Sequence, residues 1–303
     1  MQRPFDSFIG VDLGGGKGKT TAVARLRLAV DQGASGPSSG KAGRASPHRL
    51  EVLEVGTQAP GDEPWYDEAL VAYLGQHASA VVAIDAPLTL TACTRCQEPV
   101  CPGLTVCDDP AIVWFRTEGQ RLINDHVRAD KDRVVSVPRA GTRVAAKNKP
   151  QITPYTQRAT ELVLHRRHGI LARETLGQGM GPLTARASHL TRALRRHGFA
   201  LHANLLEVYP KATIHQLWGA DLARRYKGQA NTWEARAKIL TSLEGELAFA
   251  PTSRLARESC LANDHCFDAV ICAYTAYLWA RDGWRLPDNG PFSTDGWIYA
   301  PGV

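Results

Sequence analysis

Apolar residues recur along the chain with two different periods, and the changes between them mark out its elements. Residues 8–13 (FIGVDL) form a short apolar run ending in an acid and a glycine cluster, which predicts a strand. Residues 20–28 (TTAVARLRL) alternate imperfectly but are rich in strand formers, and residues 49–56 (RLEVLEVG) alternate strictly. Between them, residues 31–48 (DQGASGPSSGKAGRASPH) carry no periodic apolar content, which predicts a flexible loop at the expanded tip of a hairpin. Residues 65–76 then place Trp65, Ala69, Ala72, Tyr73 and Gln76 along one helical face. Residues 80–84 (AVVAI) are continuously apolar, as a strand buried on both faces requires, and Asp85-Ala86-Pro87 stops them because proline cannot extend the ladder.

After residue 88 the pattern changes. A cysteine-rich stretch leads into a basic one, followed by helical periods at 157–168 and 183–197. Residues 200–208 (ALHANLLEV) predict a fifth strand closed by Tyr209-Pro210, and residues 211–218 and 232–248 predict helices. Residues 264–281 (DHCFDAVICAYTAYLWAR) form a long helix so apolar that it must be buried. The order predicts an α/β fold, a mixed sheet flanked by helices. Residues 1–87 and 199–303 make its core, and residues 88–198 a large cysteine-bearing insertion between strands four and five.

At 303 residues the chain exceeds an average domain, which an α/β core with such an insertion accommodates. A hydrophobic fraction of 44% with 22% charged residues argues against wholesale disorder. No apolar run is long enough for a membrane helix, and the opening MQRPFDSFIGVDLG lacks the features of a secretory signal, so a cytoplasmic location and no membrane partner are expected. The net charge of +6 favours an anionic partner such as nucleic acid. That charge is concentrated within residues 128–149, where Lys131, Arg133, Arg139, Arg143, Lys147 and Lys149 form a candidate phosphate-backbone contact; a solvated face is the alternative.

The acids fall at element ends. Asp12 closes the first strand, Asp85 the fourth and Glu207 the fifth, while Asp264 and Asp268 lie one turn apart at the start of the last long helix. Each alone reads equally well as a turn or helix cap. Together they favour a cation, because crowded carboxylates repel unless positive charge compensates them. Carboxylate oxygens suit Mg²⁺ or Mn²⁺, and such a site supports phosphoryl chemistry.

Cys93, Cys96, Cys101 and Cys107 form a Cys-x₂-Cys-x₄-Cys-x₅-Cys array, which predicts a structural Zn²⁺ site, with an iron–sulfur cluster or plain thiols as alternatives. Gly18-Lys19-Thr20 does not complete a phosphate loop, since the earlier glycine that the pattern needs is Leu13.

IGVDLGGG, AIDAPL, EVYPKA and NDHCFDAVICAYTA, in that order, resemble the family known as domain of unknown function 429, whose members are expected to be RNase H-like nucleases. The resemblance covers most of the chain outside residues 31–48. It implies an RNase H-like sheet, with Asp12 as the first-strand metal ligand and Asp85 as the second, where other RNase H-like enzymes often carry Glu. The Asp264 and Asp268 pair is similar to the Asp-x-x-Asp end of RuvC-type resolvases, although the separation here is four residues rather than three; Asp268 is the favoured ligand. Glu207 is a ligand or a structural anchor. The expected activity is metal-dependent phosphodiester hydrolysis. The alternatives are an ATP-dependent phosphotransferase of the actin-like or sugar-kinase type, whose first hairpin also starts with Asp and glycines, and a non-catalytic nucleic-acid-binding protein.

Overall fold

The computed structural model describes residues 5–16, 19–30, 48–125, 152–228, 230–251, 253 and 255–303. They form two compact units, the first comprising Met1–Ala86, Arg186–Arg285 and Ile298–Gly302. Its centre is a mixed seven-stranded sheet, in the order Leu247–Phe249, His48–Gly56, Ala22–Val30, Ser7–Asp12, Val81–Asp85, Leu205–Val208 and Ile298–Tyr299. Strands β1 (Ser7–Asp12), β2 (Ala22–Val30) and β3 (His48–Gly56) make an antiparallel meander. Strands β4 (Val81–Asp85) and β5 (Leu205–Val208) run parallel to β1 on its other side. The fully buried Val81–Ile84 matches the unbroken apolar run of that segment.

Two short strands extend the edges. β6 (Leu247–Phe249) pairs parallel with β3, and β7 (Ile298–Tyr299) parallel with β5. Neither is long enough to register as a period in the sequence. β6 also shortens the helix expected at 232–248, which ends at Ser242. The chain turns through Gly245, and the next residues take up the open edge of β3 at Leu50, Glu51 and Val52. The strand expected at 200–208 is likewise confined to Leu205–Val208, because residues 200–204 curl into a turn with His202 at φ +65°.

Helix Asp264–Asp282 lies across the sheet and touches β1, β2 and β4. Cys266 through Ala280 are all buried, so the helix is apolar all round rather than along a stripe. Its approach to β1 depends on small residues. A side chain on Gly10 would overlap the backbone of Ala269 and Ala273 and crowd Cys272. This close contact brings the first turns of the helix to the carboxyl ends of β1 and β4.

The second unit comprises Pro87–Ala185, Leu286–Trp297 and the terminal Val303. Helix Ala159–His168 is anchored at its start by the buried Arg158, which donates to Glu161 at 3.0 Å and to Thr89 at 2.7 Å. Asp295 accepts from the amide of Ala159 at 2.7 Å. Among the described residues, no helix is long and apolar enough to cross a membrane.

Candidate metal centre

Strands β1 and β4 are parallel neighbours in register, with Asp12 directly beside Asp85. Both strands therefore end at one edge with a carboxylate. Helix Asp264–Asp282 starts over the same edge, capped by Asn263, whose side chain accepts from the amide of His265 at 2.9 Å. One turn further on, Asp268 points inward. Oxygens of Asp12, Asp85 and Asp268 lie within 4.8 Å of one another. Oxygens that share one hard cation at about 2.0–2.6 Å lie no more than about 5 Å apart, and these fall inside that limit.

Asp268 has 0% exposure, and neither carboxylate oxygen receives an ordinary hydrogen bond from the described residues; the ammonium of Lys227 presses on Oδ2 instead. A buried carboxylate with so few donors is costly unless a cation compensates it, so the donor set fits a divalent metal. Burial pushes the Asp268 carboxyl up to about 7 against the pull of Lys227. Burial, with Asp12 and Asp268 close by, also raises Asp85 well above the usual carboxylate range. Burial opposes the charge on Lys227, but Asp268, Asp12 and Asp85 outweigh it and hold the ammonium above its ordinary value.

The other two acids stand at the margin. Glu207 pairs in register with Ile84, is buried, and adds its charge to Asp85, but it does not belong to the three-carboxylate group. Asp264, with 40% side-chain exposure, lies 3.7 Å from Lys227 Nζ and outside that group. Of the Asp264 and Asp268 pair, the structure gathers only Asp268 with Asp12 and Asp85.

Three further residues belong to this neighbourhood, and sequence reasoning missed them. His265 places Nδ1 2.5 Å from Asp12 Oδ2, and this hydrogen bond holds the imidazole above its ordinary value. Its signals were its place inside NDHCFDAVICAYTA and its adjacency to Asp264, neither of which shows that it reaches Asp12. Lys227 sits in the turn after helix Pro210–Arg225, where no motif marks it. Arg186 braces the glycine turn that follows Asp12. It donates to Gly14 O at 2.7 Å, Thr21 Oγ1 at 2.8 Å, Trp65 O at 3.0 Å and Asp67 Oδ1 at 2.7 Å. In return Gly14 N donates to Thr21 Oγ1 at 3.1 Å.

Arg186→Ala removes four donor contacts at once and leaves the Gly14 and Trp65 carbonyls short of a partner. Charged hydrogen bonds of this kind contribute about 1.5–3 kcal/mol each at most, and not additively, so a total loss of about 2–4 kcal/mol is expected. The midpoint of urea unfolding measures it; an unchanged midpoint would show that the turn holds without the clamp.

In the second unit, Cys93, Cys96, Cys101 and Cys107 are free thiols. Burial and then the neighbouring Cys101, Cys107 and Cys96 push the Cys93 thiol up. The four sulfurs are not drawn together as the three carboxylates are. The basic residues Lys131, Arg133, Arg139, Arg143, Lys147 and Lys149 lie outside the described residues.

The family model described as "Protein of unknown function (DUF429)" matches residues 10–291. No curated protein and no solved structure matches the chain.

Proposed function

This chain belongs to the DUF429 family, and on that premise we propose that it is an RNase H-like, metal-dependent nuclease whose Asp12, Asp85 and Asp268 hold Mg²⁺ or Mn²⁺. The observation that carries the reading is the meeting of three carboxylates at one sheet edge, with Asp268 buried and answered, among the described residues, by a lysine alone. The sheet order supports it as well, since an antiparallel meander is followed by β4 and β5 parallel to β1, with the acids at the strand ends. The net charge of +6 supports an anionic polymer as substrate.

Bound there, a divalent cation would supply Lewis acidity at a phosphoryl oxygen and an acidified water. The chain's own residues do the rest. Asp12 and Asp85 are held side by side by the β1–β4 register, and His265 orients the Asp12 carboxylate through Nδ1. Arg186 keeps the turn after Asp12 in place, and Glu207 contributes negative charge behind Asp85.

Labelled DNA, RNA, hybrid and branched substrates incubated with Mg²⁺, Mn²⁺ or chelator test the reading. Metal-dependent cutting of at least one polymer is expected. A folded protein that cuts none of them with either metal would rule out the nuclease.

For the cysteine loop of the second unit we propose structural zinc. The amide of Glu98 donates to Cys96 Sγ at 3.4 Å, as an amide near a thiolate ligand does; Val100 and Val106 are exposed, and the loop's own core is the small cluster of Ala92, Ala111 and Ile112 against Cys93 and Cys107. Elemental analysis is expected to find one zinc per chain, lost in Cys96→Ser/Cys101→Ser. Iron with visible absorption would assign a cluster instead, and four thiols reacting freely in the purified protein would exclude both.

A further inference from the structure

The cation facing Asp268 belongs to the protein itself. We propose that Lys227 is a tethered counter-ion that holds the metal position of the Asp12, Asp85 and Asp268 cluster in the metal-free protein and must withdraw before a divalent cation binds. Lys227 thereby sets the metal affinity of the site. The proposal rests on reading the cluster as a metal site and adds its regulation.

Four observations carry it. Three carboxylates with oxygens within 4.8 Å repel one another when ionised, and a positive charge relieves that repulsion when no metal is present. Lys227 Nζ supplies that charge against Oδ2 of the wholly buried Asp268, which has no other donor among the described residues. A second resting place is close by, since Asp264 Oδ2 lies 3.7 Å from the same ammonium and Asp264 is open to solvent. The lysine sits at the margin of the cluster: its side chain is 36% exposed, it follows the end of helix Pro210–Arg225, and Gly228 after it has φ +69°. A four-carbon stem can thus carry the ammonium from Asp268 outward to Asp264 without shifting helix or sheet. His265 is a second basic group at the cluster, but it is bonded to Asp12 and leaves Asp268 to Lys227.

Competition of this kind has a measurable sign. If the binding-competent state is present only when Lys227 has withdrawn, the apparent dissociation constant is raised by the inverse of that fraction. A lysine withdrawn about one-tenth of the time or less therefore weakens metal binding by about tenfold or more.

Mn²⁺ titrations of the full chain, followed by electron paramagnetic resonance, compare wild type with Lys227→Gln and Lys227→Arg. Lys227→Gln is expected to bind Mn²⁺ about tenfold or more tightly than wild type, with Lys227→Arg close to wild type. In chelator, Lys227→Gln is expected to melt at a lower temperature than wild type, and Mn²⁺ is expected to close the gap. Lys227→Met, which drops the charge without adding an amide, repeats the comparison should the glutamine variant fold poorly. Binding that is unchanged or weaker in the charge-free variants would overturn the counter-ion proposal alone. Absence of Mn²⁺ binding in every protein, wild type included, would overturn the metal reading of the cluster and the proposal with it.

Discussion

Asp268→Asn is expected to reduce metal-dependent cleavage by about a thousandfold or more while leaving the metal-free fold nearly as stable as wild type. Losing one of three ligands removes several kcal/mol of transition-state stabilisation, and about 4 kcal/mol corresponds to three orders of magnitude in rate. The stability side follows from burial. Asp268 has 0% exposure, lacks ordinary hydrogen bonds among the described residues and is repelled by Asp12 and Asp264, so its ionised form is a cost to the metal-free fold. An isosteric amide removes that repulsion, and the partly exposed Lys227 keeps Asp264 within reach. Asp12→Asn is expected to match it in activity but not in stability, because His265 loses the carboxylate it is bonded to. Glu207→Gln, outside the gathered group, is expected to cost less activity than either. Single-turnover cleavage with Mg²⁺ and thermal melts in chelator separate the two effects. Cleavage by Asp268→Asn within tenfold of wild type would remove this residue from the metal centre.

The acids that meet were legible because each closes an element whose period is clear. The apolar runs ending at Asp12 and Asp85 are strands buried on both faces, and in such strands the first polar residue marks the sheet edge. The helical spacing of Asp264 and Asp268 put both on one face, but it could not say which points inward. That choice is made by the packing of the helix on Gly10, which is a tertiary fact. His265, Lys227 and Arg186 were illegible for a related reason. Each acts across a long separation in sequence, His265 on Asp12 and Arg186 on Gly14, and neither leaves a periodic trace.

The edges of the sheet were hidden differently. β6 and β7 have three and two residues, and they exist because β3 and β5 present unpaired backbone there. Local propensity even favoured continuing a helix through residues 243–248. The gain from filling the ladder of β3 outweighs it. The five longer strands carry their own alternation or apolar run, whereas the two edge strands borrow their conformation from a neighbour.

Gly10→Ala is expected to be the most destabilising single-methyl change in the first unit. The added carbon would overlap the carbonyl oxygen of Ala269 and the amide nitrogen of Ala273 and press on Cys272. Two of these are backbone atoms of a helix buried on all sides, so no side-chain rotation relieves the clash. The helix must lift from β1, at a cost of about 3 kcal/mol or more, a large share of a typical total of about 5–15 kcal/mol. Gly245→Ala is the matched control: nothing lies within 4 Å of its added carbon, and a change within about 0.5 kcal/mol is expected. The same displacement reaches the metal centre. Asp268 is carried on the helix and Asp12 on the strand, so prying them apart separates ligands that now lie within 4.8 Å. Urea unfolding of Gly10→Ala should therefore show a large fall in midpoint, and Mn²⁺ binding should weaken under conditions where the variant is still folded. An unfolding midpoint equal to that of wild type would mean that the helix does not sit on β1 as closely as described. A lowered midpoint with unchanged Mn²⁺ binding would mean that the ligands keep their spacing without this contact.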